Sequence, residues 1–163
     1  MGQQIVFLTS VDTTSATLSD LGVGIDSSTI RTENGKRYRV FKNGTSASAT
    51  IAAKRGLEIS AYSTTNLVAS VIIYTNTTSA AVGITPNLIN GVAAAAVPGD
   101  HYFWAQVGGI ATANGTLATV GLPFKFVATG TVAVAAAADT FDACGTALAV
   151  ISTADGAVLL NIA

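Results

Sequence analysis

The sixteen residues from Pro98 to Ala113, Pro-Gly-Asp-His-Tyr-Phe-Trp-Ala-Gln-Val-Gly-Gly-Ile-Ala-Thr-Ala, constrain the fold more than any other stretch. They gather the only tryptophan and the only histidine of the chain into one β-type run. Pro98, Gly99 and Asp100 punctuate its start, and Gly108 with Gly109 interrupt it, which predicts a bulge or a close backbone approach. Alternation along a strand places Tyr102, Trp104 and Gln106 on one face and His101, Phe103, Ala105 and Val107 on the other. Both faces are largely apolar. A strand of this kind is covered on both sides, so Tyr102, Phe103, Trp104 and Val107 are expected in a core or a subunit interface, together with Tyr38 from an earlier strand.

Turn chemistry sets the fold class. Asn34-Gly35, Asn43-Gly44, Asn90-Gly91, Asn114-Gly115 and Asp155-Gly156 are each the dipeptide that a tight hairpin turn prefers. Short β-type runs flank three of them: 30–33 and 38–42 the first, 110–113 and 116–120 the fourth, 147–153 and 157–162 the last. Further strands are predicted at 4–8, 57–62, 67–75, 81–84, 91–96, 124–128 and 131–135. No long helical periodicity occurs, and only 15–21 and the alanine-rich 132–141 have room for a turn or two of helix, the second reading better as a strand. The expectation is an all-β protein, a compact sandwich or barrel-like domain with short hairpins. Residues 1–29, rich in Ser and Thr, form either an extended N-terminal arm or an edge hairpin of the same domain, and 30–163 form the β-rich domain.

At 163 residues the chain has the length of one domain. Charged residues make up only 10%, against roughly 25% in an average soluble domain. With a mean hydropathy of +0.54, that deficit points to a membrane or to an assembly that hides apolar surface. No membrane partner is expected, because the uncharged interval between Glu58 and Asp100 is broken by Ser, Thr, Asn and Pro and never offers the ~20 apolar residues a spanning helix needs. The N-terminus shows neither a basic, apolar signal segment nor, with Val6 at the sixth position, a myristoylation motif. The single cysteine, Cys144, excludes an internal disulfide and reads as a buried thiol.

Net charge is −1, yet seven of the eight Lys and Arg residues lie between Arg31 and Arg55. In strand register Arg37, Arg39 and Phe41 share one face and Lys36, Tyr38, Val40 and Lys42 the other. This split gives no single surface of stacked aromatics and cations for nucleic acid. Charges on a solvated edge strand, where they discourage aggregation, are the expected use, and no specific nucleic-acid partner is expected. Asp139 and Asp142 read as turn caps rather than paired catalytic carboxylates or a cation site. His101 has no second His at ligand spacing, and beside Asp100 it could form at most a hydrogen-bonded pair. Nucleophile and phosphate-loop motifs are absent from the sequence, so no enzyme, cofactor or metal is expected. The triplets at Asn43, Asn76 and Asn114 match the glycosylation pattern without a secretory signal.

The order of elements carries a resemblance. Asn34 to Lys42, then Ala49-Thr50-Ile51-Ala52-Ala53-Lys54-Arg55-Gly56, then Gly91-Val92-Ala93 leading into Pro98 to Gly109, resemble the decoration or cement proteins of tailed-bacteriophage capsids. The strand Trp104-Ala105-Gln106-Val107 is the most specific part, and the closing pair 147–162 looks like that family's last two strands. The resemblance implies a β-rich virion protein, made in the bacterial host cytoplasm, that decorates and stabilises the outside of an icosahedral head. It also implies a homotrimer partnered by the major capsid protein, without catalytic residues. The alternative is another virion part, such as a head-fibre base or a tail component, on the same scaffold.

Overall fold

The structure is a computed structural model and describes residues 4–75, 80–136 and 143–162. The chain is all-β: seventeen strands run in order with no α-helix among the described residues. They are β1 (Val6–Phe7), β2 (Thr14–Ser15), β3 (Gly22–Val23), β4 (Arg31–Glu33), β5 (Lys36–Asn43), β6 (Ile51–Ala52), β7 (Gly56–Tyr62), β8 (Ala69–Ile73) and β9 (Ala81–Ile84). There follow β10 (Leu88–Ile89), β11 (Val92–Ala93), β12 (Ala96–Val97), β13 (Tyr102–Leu117), β14 (Pro123–Val127), β15 (Thr131–Val134), β16 (Gly145–Ala147) and β17 (Ile151–Asn161). The one stretch of 15–21 with helical character is a 3-10 turn at Leu18–Asp20.

Strand β13 organises the molecule. Its first half pairs with β5, from Tyr102 opposite Lys42 to Gln106 opposite Tyr38. That pairing belongs to a ring in which β5 meets β8, β8 meets β7, β7 meets β9 and β9 returns to β13 at Ile84 and Gln106. Its second half pairs with β17, and a second ring runs through β16, β14 and β15 back to β13 where Gly115 bridges Val132. The protein is thus two small barrel-like closures sharing one strand. Rings of this size are filled by side chains rather than hollow. Phe41, Leu57, Ala69, Val71, Phe103 and Ala105 pack within the first. Ala111, Ala113, Phe124, Phe126, Val132, Val158 and Leu160 pack within the second.

The hand-over between rings falls at the glycine pair. The β13–β5 register slips between Gln106 and Gly108, a bulge, and Gly109 adopts φ +83°. A bulge bends a strand and increases its twist, which lets one strand serve two closures. At the far end Gly115 sits so close to Val132 that a Cβ there would overlap that residue's backbone. Only glycine allows the parallel bridge that closes the second ring.

Two of the five hairpin signals make two-residue turns with both residues at positive φ: Asn34-Gly35 between β4 and β5, and Asn90-Gly91 between β10 and β11. Two others correct the sequence reading. Asn114-Gly115 lies inside β13 and Asp155-Gly156 inside β17, so each expected hairpin is one continuous strand, and the two strands pair with each other. Inward-facing Ala111, Ala113, Val158 and Leu160 are buried in one cluster, and burial along both strands outweighs the local turn preference. The fifth, Asn43-Gly44, ends β5 without a hairpin. The buried Asn43 amide donates 3.0 Å bonds to the Val97 and Pro98 carbonyls and accepts from the Thr45 backbone N–H and hydroxyl.

A third cluster lies on the outer face of the first ring. Tyr38, Val40 and Trp104 point outward there and are covered by Leu21, Ile25 and Val68, with Val11 and Leu18 at the margin. The described residues of 1–29 therefore pack on the sheet, and β2 pairs directly with Tyr102 and Phe103.

Candidate functional site

The residues singled out from sequence divide between three environments. Trp104 and Tyr38 lie under the N-terminal segment, Phe103 lies inside the first ring, and Val107 joins the core of the second. All four are buried, Phe103 and Trp104 completely. Tyr102 is half-buried: its hydroxyl accepts a 2.8 Å bond from the Asn66 amide, and Lys42 Nζ lies 5.9 Å from its ring centroid. These residues form no single pocket. Strand alternation and the bulge send neighbours along β13 to different cores, which is the physical reason both of its faces are apolar.

The N-terminal cover is fastened by Arg31. Its guanidinium lies 5.0 Å from the Phe7 ring centroid and 5.6 Å from that of Trp104. It also donates a 2.7 Å bond to the Thr9 carbonyl and pairs with Glu33 at 2.7 Å. Phe7 meets Trp104 edge to face at 5.4 Å. A cation over two rings in a partly dried site is worth about 0.5–2 kcal/mol per contact, so Arg31 holds the cover through ring faces and backbone together. Sequence reasoning missed this role, because nothing local to Arg31 marks the rings that converge on it.

Outside this cover lies an exposed apolar strip. Strands β1 and β3 pair antiparallel, Val6 opposite Val23, and Ile5, Val6, Leu8 and Val23 are all exposed. The first charged residue of the sequence is Asp12, so this strip carries no charge of its own. A second exposed apolar pair, Ile110 opposite Leu159, stands on the outer face of the β13–β17 ladder. Neither strip was singled out from sequence, since short apolar runs read as core until their pairing partners are known.

The polar groups considered for chemistry are engaged structurally. His101 Nδ1 donates to the Gly99 carbonyl at 2.9 Å, and Asp100 pairs with Lys42 at 3.0 Å, so both side chains have partners other than each other. Glu58, buried on β7, accepts bonds from the Thr75 N–H and hydroxyl at 3.1 and 2.6 Å. Cys144 is buried in the second ring. Among the described residues no group of three His, Cys, Asp or Glu could hold a metal ion, and no helix is long and apolar enough to cross a membrane. Asp139, Asp142 and the triplet at Asn76 lie outside the described residues.

The basic strand needs a correction. β5 is not an edge: β13 pairs along one side of it, and β4 and β8 share the other. Its charges serve separate local ends. Lys42 pairs with Asp100, Arg37 reaches Asn161 at 3.4 Å, and Arg39 shares the inward side of the first ring with Phe41. Further along, Lys54 Nζ bonds Asp155, whose other oxygen accepts a 3.0 Å bond from Asn114. Those contacts hold the Asp155 carboxyl below the usual aspartate range, the Lys54 hydrogen bond being the largest cause. Compared with protein-family models, with curated proteins and with solved structures, the chain finds no match in any of the three.

Proposed function

We propose that this protein is a non-catalytic structural component of a virion, binding the outside of an icosahedral bacteriophage head and working there as a trimer against the major capsid protein. The observation that carries the reading is the uncharged strip of Ile5, Val6, Leu8 and Val23 on the outside of the N-terminal cover. Exposed apolar surface of this kind marks an interaction site rather than a free face. The scarcity of charge across the whole chain agrees with a protein whose surface is spent on neighbours. That those neighbours are shell subunits rests on the resemblance of the strand Trp104-Ala105-Gln106-Val107 and its flanking elements to capsid decoration proteins. A subunit that bridges shell proteins binds the assembled state and not the dissociated one, so it stabilises the assembly by mass action. Three copies joined around a threefold position convert weak single contacts into firm attachment.

The test adds purified protein to phage heads that lack it and follows co-sedimentation and heat-induced disassembly by light scattering. Saturable attachment in multiples of three, with disassembly moved to higher temperature, is the expected result. Heads that neither bind the protein nor change their disassembly temperature would overturn the reading. Density at the tail or at a fibre base in electron micrographs of the particle would assign it to another part of the virion.

A further inference from the structure

A cavity of about 430 Å³ opens at the mouth of the first ring, lined by Arg39 and Phe41 of β5, Ile59 of β7, Ala69 of β8 and Val82 of β9, with Tyr62 and Leu67 at its rim. Its floor is barrel interior. Phe41 and Ala69 are buried members of the first ring's core, and Ile59 and Val82 pack against that core. Barrel mouths are a preferred place for binding sites, and this volume lies in the ordinary range for them, roughly 300–1,000 Å³.

Arg39 is the unusual group here. Opposite Ala105 on the inward side, its Nε is shut off from solvent, and among the described residues that Nε has no hydrogen-bond partner and the guanidinium forms no ion pair. Among the described residues the one acid in the lining is Asp26, which forms no ion pair with Arg39 and turns one carboxylate oxygen into its own turn. Its Oδ1 accepts from the Ser28 N–H and hydroxyl at 2.8 and 2.6 Å and from the Thr29 N–H and hydroxyl at 3.0 and 3.2 Å. A guanidinium presents a planar fork that matches a carboxylate, and one held beside apolar walls is costly to leave without an anion.

The rim shows what kind of molecule brings that anion. Tyr62 is 71% exposed and Leu67 63% exposed, and Leu67 holds φ +56°, a left-handed backbone that a bulky residue rarely adopts. The β7–β8 register slips between Ile59 and Ala61, a bulge directly before Tyr62. Ser27 fixes the wall, its hydroxyl donating to the Val40 carbonyl at 2.9 Å and accepting from the Ala69 N–H at 2.8 Å. Apolar surface thus continues out of the cavity onto a strained, anchored rim formed by Tyr62 and Leu67. Tyr and Arg are also the residue types that dominate protein-binding hot spots.

We infer that this barrel mouth is a docking site for a segment of another polypeptide that carries a carboxylate beside an apolar side chain, the carboxylate meeting Arg39 and the apolar group entering over Phe41 and Ile59 between Tyr62 and Leu67. The test uses the full chain labelled with 15N, in which the Arg39 Nε–H gives its own signal. It is titrated with the peptide N-acetyl-Phe-Glu-Leu-amide, with the Phe-Gln-Leu peptide, with 3-phenylpropionate and with a hexathymidylate strand. The Glu peptide is expected to shift the Arg39 Nε–H and the amides of Ile59 and Ala69 saturably, and the Gln peptide to bind at least tenfold more weakly. Arg39→Gln is expected to erase the difference between the two peptides, Arg39→Lys to keep part of it, and Tyr62→Ala to weaken both. Equal binding of the two peptides to the unaltered protein would overturn the inference. So would binding of 3-phenylpropionate without the peptide, which means a small-acid site, or displacement of the peptide by the strand. Should Arg39→Gln fail to fold, the Glu-against-Gln comparison on the unaltered chain and the surface variant Tyr62→Ala decide the matter. Because no phage particle enters the experiment, its outcome is independent of the capsid reading.

Discussion

Asp155 on β17 stands directly across from Asn114 on β13 and accepts a 3.0 Å hydrogen bond from its amide, while Lys54 closes on the other carboxylate oxygen. These contacts tie the long ladder of the second ring to the segment leading into β7. They favour the ionised carboxylate, and the folded protein therefore holds Asp155 below the usual aspartate range. A group whose carboxyl is lowered by folding adds stability that is complete above the unfolded value and is lost as pH falls through the folded one. Asp155→Asn is expected to cost roughly 0.2–1 kcal/mol at neutral pH, the scale of a partly exposed ion pair. The cost should vanish in strong acid. Urea denaturation at pH 7 and at pH 2 checks both arms, and an equal loss at the two pH values would contradict the assignment.

Trp104 is fully buried beneath Phe7, with their rings edge to face at 5.4 Å. As the only tryptophan, it reports its own cover. Emission from the native protein is expected in the blue range of a dry indole. Phe7→Ala should move it to the red and raise quenching by iodide, at a modest cost in stability because Phe7 itself is partly exposed. Trp104→Ala, which empties a core position, should cost about 3–5 kcal/mol in denaturant melts.

Gly109 and Gly121 both hold left-handed φ, +83° and +85°, but only one is crowded. A Cβ on Gly109 would stand 2.5 Å from the Gly35 carbonyl oxygen, whereas one on Gly121 would meet nothing within 4 Å. Gly121→Ala should therefore cost only the backbone penalty, about 1–2 kcal/mol. Gly109→Ala adds displacement of the Asn34-Gly35 turn and should exceed it. Thermal melts of the two variants side by side make the comparison, and equal losses would show that the bulge yields without cost.

Asn43 shows why some of this architecture was legible in the sequence and some was not. The all-β class followed from turn residues and alternation, both local, and the β4–β5 and β10–β11 turns fall on their Asn-Gly dipeptides. Asn43-Gly44 carries the same local signal, yet Asn43 is spent on the Val97 and Pro98 carbonyls, more than fifty residues away. Asn114 and Asp155 likewise turned out to face each other across a ladder. In each case a distant partner overrode the dipeptide, and a single sequence does not contain that partner's position. The same holds for Arg31 and Arg39: strand parity put Arg39 on the side of Phe41, but which side is barrel interior depends on how β5, β8, β7, β9 and β13 close. Asn43→Ala is expected to leave the Val97 and Pro98 carbonyls without their donor and to cost about 1–3 kcal/mol. Denaturant melts measure it, and a near-neutral result would mean that other donors replace the amide.

The strip on the N-terminal cover can be separated from the fold beneath it. Leu8 and Val23 are exposed, whereas Leu21 and Ile25 a few residues away are buried against Trp104. Replacing Leu8 and Val23 by Glu together should leave the melting temperature within a few degrees, because surface positions away from caps and cores usually change stability by no more than about 0.5 kcal/mol each. If the strip is the surface that meets the phage head, two buried charges at that contact should weaken attachment at least tenfold and remove the protection of heads against heat. Ile110→Glu with Leu159→Glu, on the outer face of the second ring, provides the matched control of equal charge. Loss of attachment in the first variant alone assigns docking to the N-terminal cover. Loss in the control alone moves it to the second ring, and retention in both would show that neither apolar strip makes the contact.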